Sequence, residues 1–200
     1  MPERGLLTRI AREIRRDIAS ARERDPAARG VRAIEMLATW PGVQALLAHR
    51  VAHALYESRV PLLPRAIAYG ARAVTGIEIH PAARIGDGLF IDHGTGVVIG
   101  ETTEIGDRVR LYQGVTLGAL SLPRDAGDLL RNKKRHPTIQ DDVIIYSGAT
   151  ILGGKTIIGA RSIIGGNVWL TESVPPDTRI ILKKPELIYA GQIEEGTKTE

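Results

Sequence analysis

The 200 residues of the chain suit one domain, or one domain with a smaller one attached. Hydrophobic residues make up 43% and aromatic residues 4%, which predicts an aliphatic core. The absence of cysteine excludes disulfides, thiolate chemistry and cysteine-based metal sites, and it favours a cytoplasmic location. A net charge of +4, from 27 basic and 23 acidic residues, does not require nucleic acid as a partner, because an anionic small ligand would match it equally well.

The first third of the chain has the period of amphipathic helices. In the first helix, which ends near Asp25-Pro26, apolar residues recur at steps of three or four: Leu6, Leu7, Ile10, Ile14 and Ile18. Further helices are predicted over residues 31–39, 43–56 and 64–74. The first helix is basic and could lie on a membrane, but packing on a neighbouring element is the commoner use. No apolar run has the length of a membrane span and no signal-peptide pattern is present, so we expect no membrane partner.

Two histidines, His49 and His53, fall four residues apart on the third predicted helix. That spacing can hold a metal ion, but a metal site also needs a third ligand. We identify no third ligand beside this pair and therefore predict that the protein binds no metal.

From Ile77 onward the period changes to six residues. The aliphatic positions form three rows: Ile79, Ile85, Ile91; then Ile99, Ile105, Leu111, Leu117, after an offset of two residues absorbed at Val97 and Val98; then Ile139, Ile145, Ile151, Ile157, Ile163, Trp169. A helix would turn about 600° in six residues and scatter these side chains, whereas a strand returns them to one face. Small residues stand midway between the aliphatic ones in the last row. We therefore predict a parallel β-helix of hexapeptide units; chance spacing in a β-sandwich is the alternative.

An inserted loop and a tail interrupt this pattern. Residues 118–138 form a loop with five basic residues against two acidic ones: Arg124, Arg131, Lys133, Lys134, Arg135, and Asp125, Asp128. Loops that leave one corner of a solenoid usually serve binding. Val174-Pro175-Pro176 is expected to end the coil, because proline removes backbone donors. The predicted division is a helical domain over residues 1–75, a β-helix over 76–178 and a tail over 179–200, whose last six residues are expected to be disordered.

The chemistry is expected near His93, which occupies the third position of a hexapeptide and so projects near a corner of the coil. A neutral histidine can accept the proton of a hydroxyl nucleophile. Glu78 precedes it by 15 residues, a little short of the roughly 18 that make one three-sided coil, so its carboxylate is expected to orient the imidazole from the adjacent coil. His136 ends the basic loop. The pattern leaves open that His93 is only a polar corner and His136 only a surface residue.

Several motifs in order resemble the serine O-acetyltransferase family. They are Glu78-Ile79-His80-Pro81-Ala82-Ala83, residues 91–102, Gln113-Gly114-Val115-Thr116-Leu117-Gly118, Arg135-His136-Pro137 and Val174-Pro175-Pro176, with weaker matches at Arg24-Asp25-Pro26-Ala27 and in residues 44–56. The resemblance implies an α+β protein in which an N-terminal α-helical domain precedes a left-handed parallel β-helix that trimerises. It also implies acetyl transfer from acetyl-CoA to the hydroxyl of L-serine, which supplies O-acetylserine for cysteine biosynthesis.

The resemblance assigns roles to individual residues. His93 is expected to be the general base, and Glu78 takes the place of its orienting carboxylate, where the family usually has aspartate. Asp92 resembles the residue that holds the substrate ammonium group. The remaining acceptor contacts are Asp25, Arg135 and His136, the last two binding the substrate carboxylate in a site shared between subunits.

The acetyl-CoA site is predicted more loosely. Gly148, Ala149 and Gly166 would allow close approach of the pantetheine arm between coils, and Lys183 or Lys184 would meet the phosphates of CoA. The alternative is that the glycines only satisfy the corners of the coil and that the lysines are solvated.

Three departures from the family pattern shape the remaining expectations. The basic loop is longer than usual and Ala119 stands where glycine is frequent, so the acceptor is either serine or a related hydroxyl compound such as homoserine. The helical domain is short, which leaves a single trimer or a dimer of trimers. The chain ends in Thr197-Lys198-Thr199-Glu200 instead of isoleucine, so we expect no complex with O-acetylserine sulfhydrylase, and tight co-elution of the two would contradict this.

Other functions fit the sequence less well. An antibiotic hydroxyl is a further possible acceptor, whereas a sugar does not match Asp92 with Arg135, which suit an amine and a carboxylate. A non-catalytic β-helix used only for assembly would leave His93 without a role. Nucleic acid is the weakest alternative, because the basic loop has no interleaved aromatic residues to stack on bases.

Overall fold

The computed structural model describes residues 3–120 and 133–183. Four α-helices come first: α1 (Glu3–Arg24), α2 (Ala33–Thr39), α3 (Pro41–Glu57) and α4 (Leu63–Thr75). A short 3-10 helix, Pro26–Ala28, joins α1 to α2. The predicted helices are confirmed. No helix in the described ranges is both long and apolar enough to cross a membrane.

Short strands follow α4. In chain order they are β1 (Glu78–Ile79), β2 (Arg84–Ile85), β3 (Phe90–Ile91), β4 (Val98–Ile99), β5 (Glu104–Ile105), β6 (Arg110–Leu111), β7 (Thr116–Gly118), β8 (Thr138–Ile139), β9 (Ile144–Ile145), β10 (Thr150–Leu152), β11 (Ile157–Ile158), β12 (Ile163–Ile164), β13 (Trp169–Leu170) and β14 (Arg179–Ile180). They form three sheets: sheet A is β1-β4-β7-β10-β13, sheet B is β11-β8-β5-β2 and sheet C is β14-β12-β9-β6-β3. From β1 to β13 successive strands visit A, B and C in turn, and β14 returns to sheet C, so the chain winds as a three-sided parallel β-helix, as the six-residue period predicts.

The interior of the coil consists of aliphatic side chains stacked in register. Ile99 lies beside Ile79 in sheet A, and Leu117 lies beside Ile99, so each coil places the same kind of side chain over its neighbour. These residues belong to one apolar cluster that runs the length of the coil. Stacking of this kind explains why a sequence with few aromatic residues can still form a continuous core.

The inward row shifts by one residue in the last coils. Ile158 pairs with Ile139 and Leu170 pairs with Ile151, so the inward position moves from Ile157 to Ile158. Ile158 is fully buried, whereas Ile157 is 43% exposed and Trp169 is 66% exposed. The prediction that Ile157, Ile163 and Trp169 continue the inward row is therefore wrong. The cause is one extra residue at the corner that contains Gly153, whose φ of +103° suits glycine.

The coil also continues beyond its predicted end. After Pro175-Pro176 the chain forms β14, which pairs with β12, so the predicted boundary at residue 178 falls inside the repeat. The prolines occupy a corner, where the pairing needs no donor from them. The ladder is instead made by Ile163 N–H, which donates to the Thr178 carbonyl, and by Gly165 N–H, which donates to Ile180.

The helices cover the first coil. Leu46 of α3 belongs to the apolar cluster of the coil interior, and Phe90 of β3 belongs to a second cluster with residues of α1, α2 and α3. Gly42 packs so closely that a Cβ atom there would lie 2.3 Å from the Ile91 carbonyl oxygen. The helical segment and the coil thus share their apolar contacts.

Part of the sequence prediction lies outside the described residues. Residues 121–132 of the basic loop are among them, with Arg124, Asp125, Asp128 and Arg131, as are Lys184 and the tail to Glu200.

The register shift can be tested with two adjacent isoleucines. We expect Ile158→Ala to reduce the free energy of unfolding by about 2–5 kcal/mol, because it leaves a cavity in the coil. Ile157→Ala, the matched control, removes the same atoms from an exposed side chain and should change stability by less than about 0.5 kcal/mol. Urea denaturation of both variants measures the difference. Equal losses, or a larger loss for Ile157→Ala, would contradict the observed register.

Candidate functional site

Four of the predicted site residues, Asp92, His93, Arg135 and His136, lie at the two corners that border sheet A. Residues 92–97, here called the His93 corner, lead from β3 in sheet C to β4 in sheet A. Residues 100–103 and 133–137, here called the His136 corner, lie between sheet A and sheet B. From Val97 to Glu101 the chain spans four residues, or roughly 13 Å if extended. Within one chain the two predicted halves of the acceptor site are therefore on opposite edges of sheet A.

The His93 corner presents an imidazole to solvent. The His93 side chain is 74% exposed, and its Nε2 lies 3.9 Å from Asp92 Oδ1. The backbone at His93 has a φ of +58°, in the left-handed region. Corner residues of the other coils, including Arg108, Arg161 and Asn167, share this conformation, so it follows from the turn and projects the side chain outward.

The second oxygen of Asp92 binds an arginine that sequence reasoning missed. Arg110 Nη2 donates to Asp92 Oδ2 at 2.6 Å. Arg110 stands one coil after Asp92, 18 residues later, which is the one signal in the sequence that could have identified it. Its guanidinium carbon lies 5.1 Å from the centroid of the Phe90 ring and 4.7 Å from that of Tyr112.

Glu78 does not contact His93. Its carboxylate forms an ion pair with Arg72 of α4, with Arg72 Nη1 3.2 Å from Glu78 Oε2. Glu78 stands in register with Val98, next to the His93 corner. The predicted orienting contact is thus absent from the ion pairs and hydrogen bonds of the described part of the chain, and the carboxylate is directed to the helical segment instead.

The His136 corner is organised by Thr102. The Thr102 hydroxyl accepts hydrogen bonds from the backbone N–H groups of Arg135, at 2.9 Å, and His136, at 3.0 Å. The Thr102 N–H donates to His136 Nδ1 at 3.1 Å, and the hydroxyl lies 2.9 Å from the same nitrogen. Nδ1 is therefore the acceptor nitrogen, and the imidazole proton belongs on Nε2.

Both predicted carboxylate-binding residues are engaged within the chain. The Arg135 guanidinium pairs with the Glu101 carboxylate. His136 is buried, and its ring packs on Gly100, where a Cβ atom would come within 2.0 Å of it. Burial, with the positive charge of Arg135 nearby, lowers the pKa of His136 to about 4. His136 is thus a neutral, buried residue, and the alternative that it is only a surface residue does not apply.

A cleft between the helical segment and the coil borders Glu78. It has a volume of about 300 Å³ and lies between α4 and β1, lined by residues that include Arg65, Tyr69, Arg72 and His80. Burial lowers the pKa of His80, whose Nδ1 accepts a hydrogen bond from Ala82 N–H at 3.1 Å. This cleft brings cationic and neutral donors next to the carboxylate of Glu78.

Asp25 has a structural position in this fold. One carboxylate oxygen caps the 3-10 helix by accepting from Ala27 N–H at 2.8 Å, and the other accepts from Trp40 Nε1 at 2.9 Å. The structure does not bring it into contact with Asp92, His93, Arg135 or His136.

The four residues predicted to bind acetyl-CoA differ in accessibility. Ala149 is fully buried, with its side chain in the coil interior, and Thr116 N–H donates to its carbonyl. Gly148 has a φ of +70°, which favours glycine whatever the space, and a Cβ atom there would displace the end of the Asn167 side chain, so the fold alone accounts for glycine at this position. Gly166 is half-buried and Lys183 is exposed. Surface contact with a ligand is thus open to Gly148, Gly166 and Lys183 but not to the Ala149 side chain.

The histidine pair on α3 packs against the coil. His49 and His53 stack with ring centroids 5.5 Å apart, and burial lowers the pKa of His49 well below its usual value. Glu57 Oε1 lies 3.5 Å from His53 Nε2, a neighbour that the sequence reasoning overlooked. Among residues 3–120 and 133–183, no group of three or more histidine, aspartate or glutamate side chains could hold a metal ion.

Comparison with known proteins gives related sequences, although no family model matches the chain. A serine acetyltransferase from Synechococcus elongatus, described as plasmid, is 55% identical over 170 residues, which are 84% of this chain and 52% of that protein. A serine acetyltransferase from Mycobacterium tuberculosis is 46% identical over 183 residues, 92% of this chain and 75% of that protein. The chain therefore spans about half the length of the first of these relatives and three quarters of the second.

Solved structures agree with these sequence matches. Serine acetyltransferase isoform 3 from Entamoeba histolytica, in complex with cysteine, superposes with a TM-score of 0.81 at 36% identity, covering 94% of this chain and 63% of that one. Serine acetyltransferase from Neisseria gonorrhoeae, in complex with serine, gives a TM-score of 0.77 at 35% identity, covering 89% and 69%.

The protonation of His136 generates a prediction about stability. Its pKa is about 4 when folded and about 6.5 in an unfolded chain, so the unfolded state takes up the proton first as pH falls. The stability gained from neutral His136 is complete above about pH 6.5 and is lost as pH falls toward 4. We expect wild type to exceed His136→Gln in unfolding free energy at pH 7.5 and the two to converge by pH 4.5. Urea titrations at these pH values measure both curves, and parallel curves would contradict the assignment.

Proposed function

The chain belongs to the serine acetyltransferase family, and we propose that it transfers the acetyl group of acetyl-CoA to the hydroxyl of L-serine. The products would be O-acetylserine, a precursor for cysteine biosynthesis, and CoA. The observation that carries this proposal is the exposed His93 imidazole at 3.9 Å from Asp92, at a corner that a substrate can reach. Relatives named serine acetyltransferase and a solved relative in complex with serine support the choice of acceptor.

The proposed reaction needs one proton-transfer group. His93 Nε2 accepts the proton of the serine hydroxyl while the hydroxyl oxygen attacks the thioester carbonyl carbon. The carbon–sulfur bond then breaks, and the proton from His93 completes the CoA thiol. Glu78 would serve as an orienting carboxylate only if substrate or a second copy of the chain draws it away from Arg72.

Charge complementarity supports an amino acid as the acceptor. Asp92 offers a carboxylate to the ammonium group beside the reacting hydroxyl, and Arg135 offers a guanidinium to the substrate carboxylate. His136 contributes its Nε2–H, because Nδ1 is engaged by Thr102. Holding both ends of the substrate makes the attack effectively unimolecular. Asp25 would be a further contact, contributed from the helical segment.

A homotrimer would unite the two corners. The outer surface of sheet A carries uncharged residues in register beyond Glu78: Val98, Thr116, Thr150 and Trp169. If three copies pack these surfaces around a threefold axis, the His93 corner of one copy meets the His136 corner of the next. We also propose that the coil is left-handed, as the hexapeptide resemblance implies. A dimer of trimers and a cytoplasmic location remain predictions from the sequence.

The proposed acetyl-CoA site follows the column of small corner residues. Gly148 lies within 3.4 Å of the position that a Gly114 Cβ atom would take, and Gly114 adjoins Gly96, so this edge of the coil has little side-chain bulk. A pantetheine arm could lie along it and bring the thioester to His93, with Gly166 and Lys183 further along the coil.

An acetyl-transfer assay tests the function. We expect purified protein to release CoA thiol from acetyl-CoA when L-serine is present, and His93→Asn to lower kcat by roughly 10²–10⁴-fold. Asparagine tolerates the left-handed backbone at this position. Arg161→Asn is the matched control, since Arg161 has a φ of +60° at a corner outside sheet A.

The acceptors distinguish the alternatives. Release with L-homoserine but not with L-serine would keep the mechanism and change the substrate. No release with either amino acid or with a hexose would contradict the proposed enzyme and favour a β-helix used for assembly.

Mixed oligomers test the shared site. Chains carrying His93→Asn and chains carrying Arg135→Ala should each be nearly inactive alone. Co-expressed with different tags and purified as mixed trimers, they should recover about one third of wild-type sites, because in every trimer that contains both chains one interface in three joins an intact His93 to an intact Arg135. Recovery of no activity in verified mixed trimers would mean that each site is built within one chain.

A further inference from the structure

Asp92 lies between two groups that compete for its carboxylate. Oδ2 accepts from Arg110 Nη2 at 2.6 Å, whereas Oδ1 stands 3.9 Å from His93 Nε2, beyond hydrogen-bond distance. Without a fixed partner, a carboxylate next to an imidazole would turn toward it and bind it. The observed geometry instead leaves Nε2 of His93 without a bond to Asp92.

Arg110 is itself held rigidly. Its guanidinium lies against the rings of Phe90 and Tyr112, and Tyr112 stacks on Tyr146 with ring centroids 4.9 Å apart and an interplanar angle of 11°. Phe90 is buried in the cluster that α1, α2 and α3 form over the first coil. A planar cation between aromatic rings loses little further freedom when it binds a carboxylate.

The contact is specific to this coil. Arg110 belongs to a column of outward residues in register on sheet C, and the column contains one other arginine: Phe90, Arg110, Ile144, Ile163, Arg179. Arg179 is exposed and stands four coils away from Asp92. The general packing of sheet C therefore does not require arginine at this column, and the Asp92 contact accounts for it at position 110.

We propose that Arg110 is a positioning residue for the acceptor site. By holding Oδ2 it keeps Asp92 away from His93, so that Oδ1 can receive the ammonium group of the acceptor while the imidazole can receive the hydroxyl proton. This inference rests on the proposed function, and it adds a determinant of selectivity for acceptors that carry an amine next to the hydroxyl.

Steady-state kinetics of Arg110→Met test the proposal. KM for L-serine should rise by roughly tenfold or more, the size expected for losing a charge-assisted hydrogen bond, while KM for acetyl-CoA stays within about twofold. Arg110→Lys should recover part of the loss, because an ammonium group can still reach Oδ2. Arg179→Met, the matched control on the same column, should behave like wild type.

Two further measurements separate positioning from folding. In an Asp92→Asn background, Arg110→Met should have little additional effect on kcat/KM for L-serine, since the two residues act through one contact. Discrimination between L-serine and glycerate, which has the hydroxyl and carboxylate but no amine, should fall in Arg110→Met by roughly the same factor as the loss in kcat/KM.

Specific outcomes would overturn the proposal. An unchanged or lower KM for L-serine in Arg110→Met would show that Arg110 does not prepare Asp92 or that it repels the ammonium group. Equal losses for L-serine and glycerate, with a lowered melting temperature, would show a folding role. If wild type itself fails to acetylate L-serine, the proposed function fails; if wild type is active and Arg110→Met is unaffected, only the role of Arg110 fails.

Discussion

One buried guanidinium joins the helices to the coil, and the rest of the molecule depends on that junction. Arg50 of α3 pairs with Asp17 of α1 at 3.0 Å and donates to the backbone carbonyls of Ile85 and Gly86, both at 2.6 Å. Asp17 in turn accepts from Gly88 N–H at 3.2 Å. A charge this deeply buried is tolerated only when its donors are satisfied. Two helices are thereby fixed on the corner between β2 and β3 in the first coil.

That junction covers the end of the coil, which would otherwise be exposed to solvent. Each coil pairs with the one before it and the one after it, so the first coil would leave its interior and one row of backbone groups exposed. Leu46 enters the coil interior from α3, and Phe90 extends from the coil into the helical cluster. The packing of Phe90 against the helices also matters for the proposed reaction, because Phe90 is one of the two rings that hold Arg110 beside Asp92.

The strands of this fold are only two or three residues long, and the corners between them are the places where side chains can meet a ligand. Side chains on the strands are committed to the interior or to a sheet surface, whereas corner residues in the left-handed conformation point outward. His93 is one such residue. Arg108 and Arg161, at the corner between sheets B and C, have the same backbone conformation and form ion pairs with Asp142 and Asp177. The residues around a corner therefore decide whether that corner can bind a ligand. In our proposal the two corners that bind substrate, the His93 corner and the His136 corner, lie on either side of sheet A.

The sequence by itself determined the helices, the parallel β-helix and the corner at which His93 stands, because these follow from periods of about 3.6 and six residues that are local to the chain. It could not determine that Ile158 replaces Ile157 in the interior, since one extra residue at Gly153 is visible only through strand register. Only the tertiary structure decided the partners of the charged residues: Glu78 with Arg72, Asp92 with Arg110, Arg135 with Glu101. The physical reason is that an ion pair depends on which coil lies beside which, and an insertion or a packed helix changes that neighbour without changing the period.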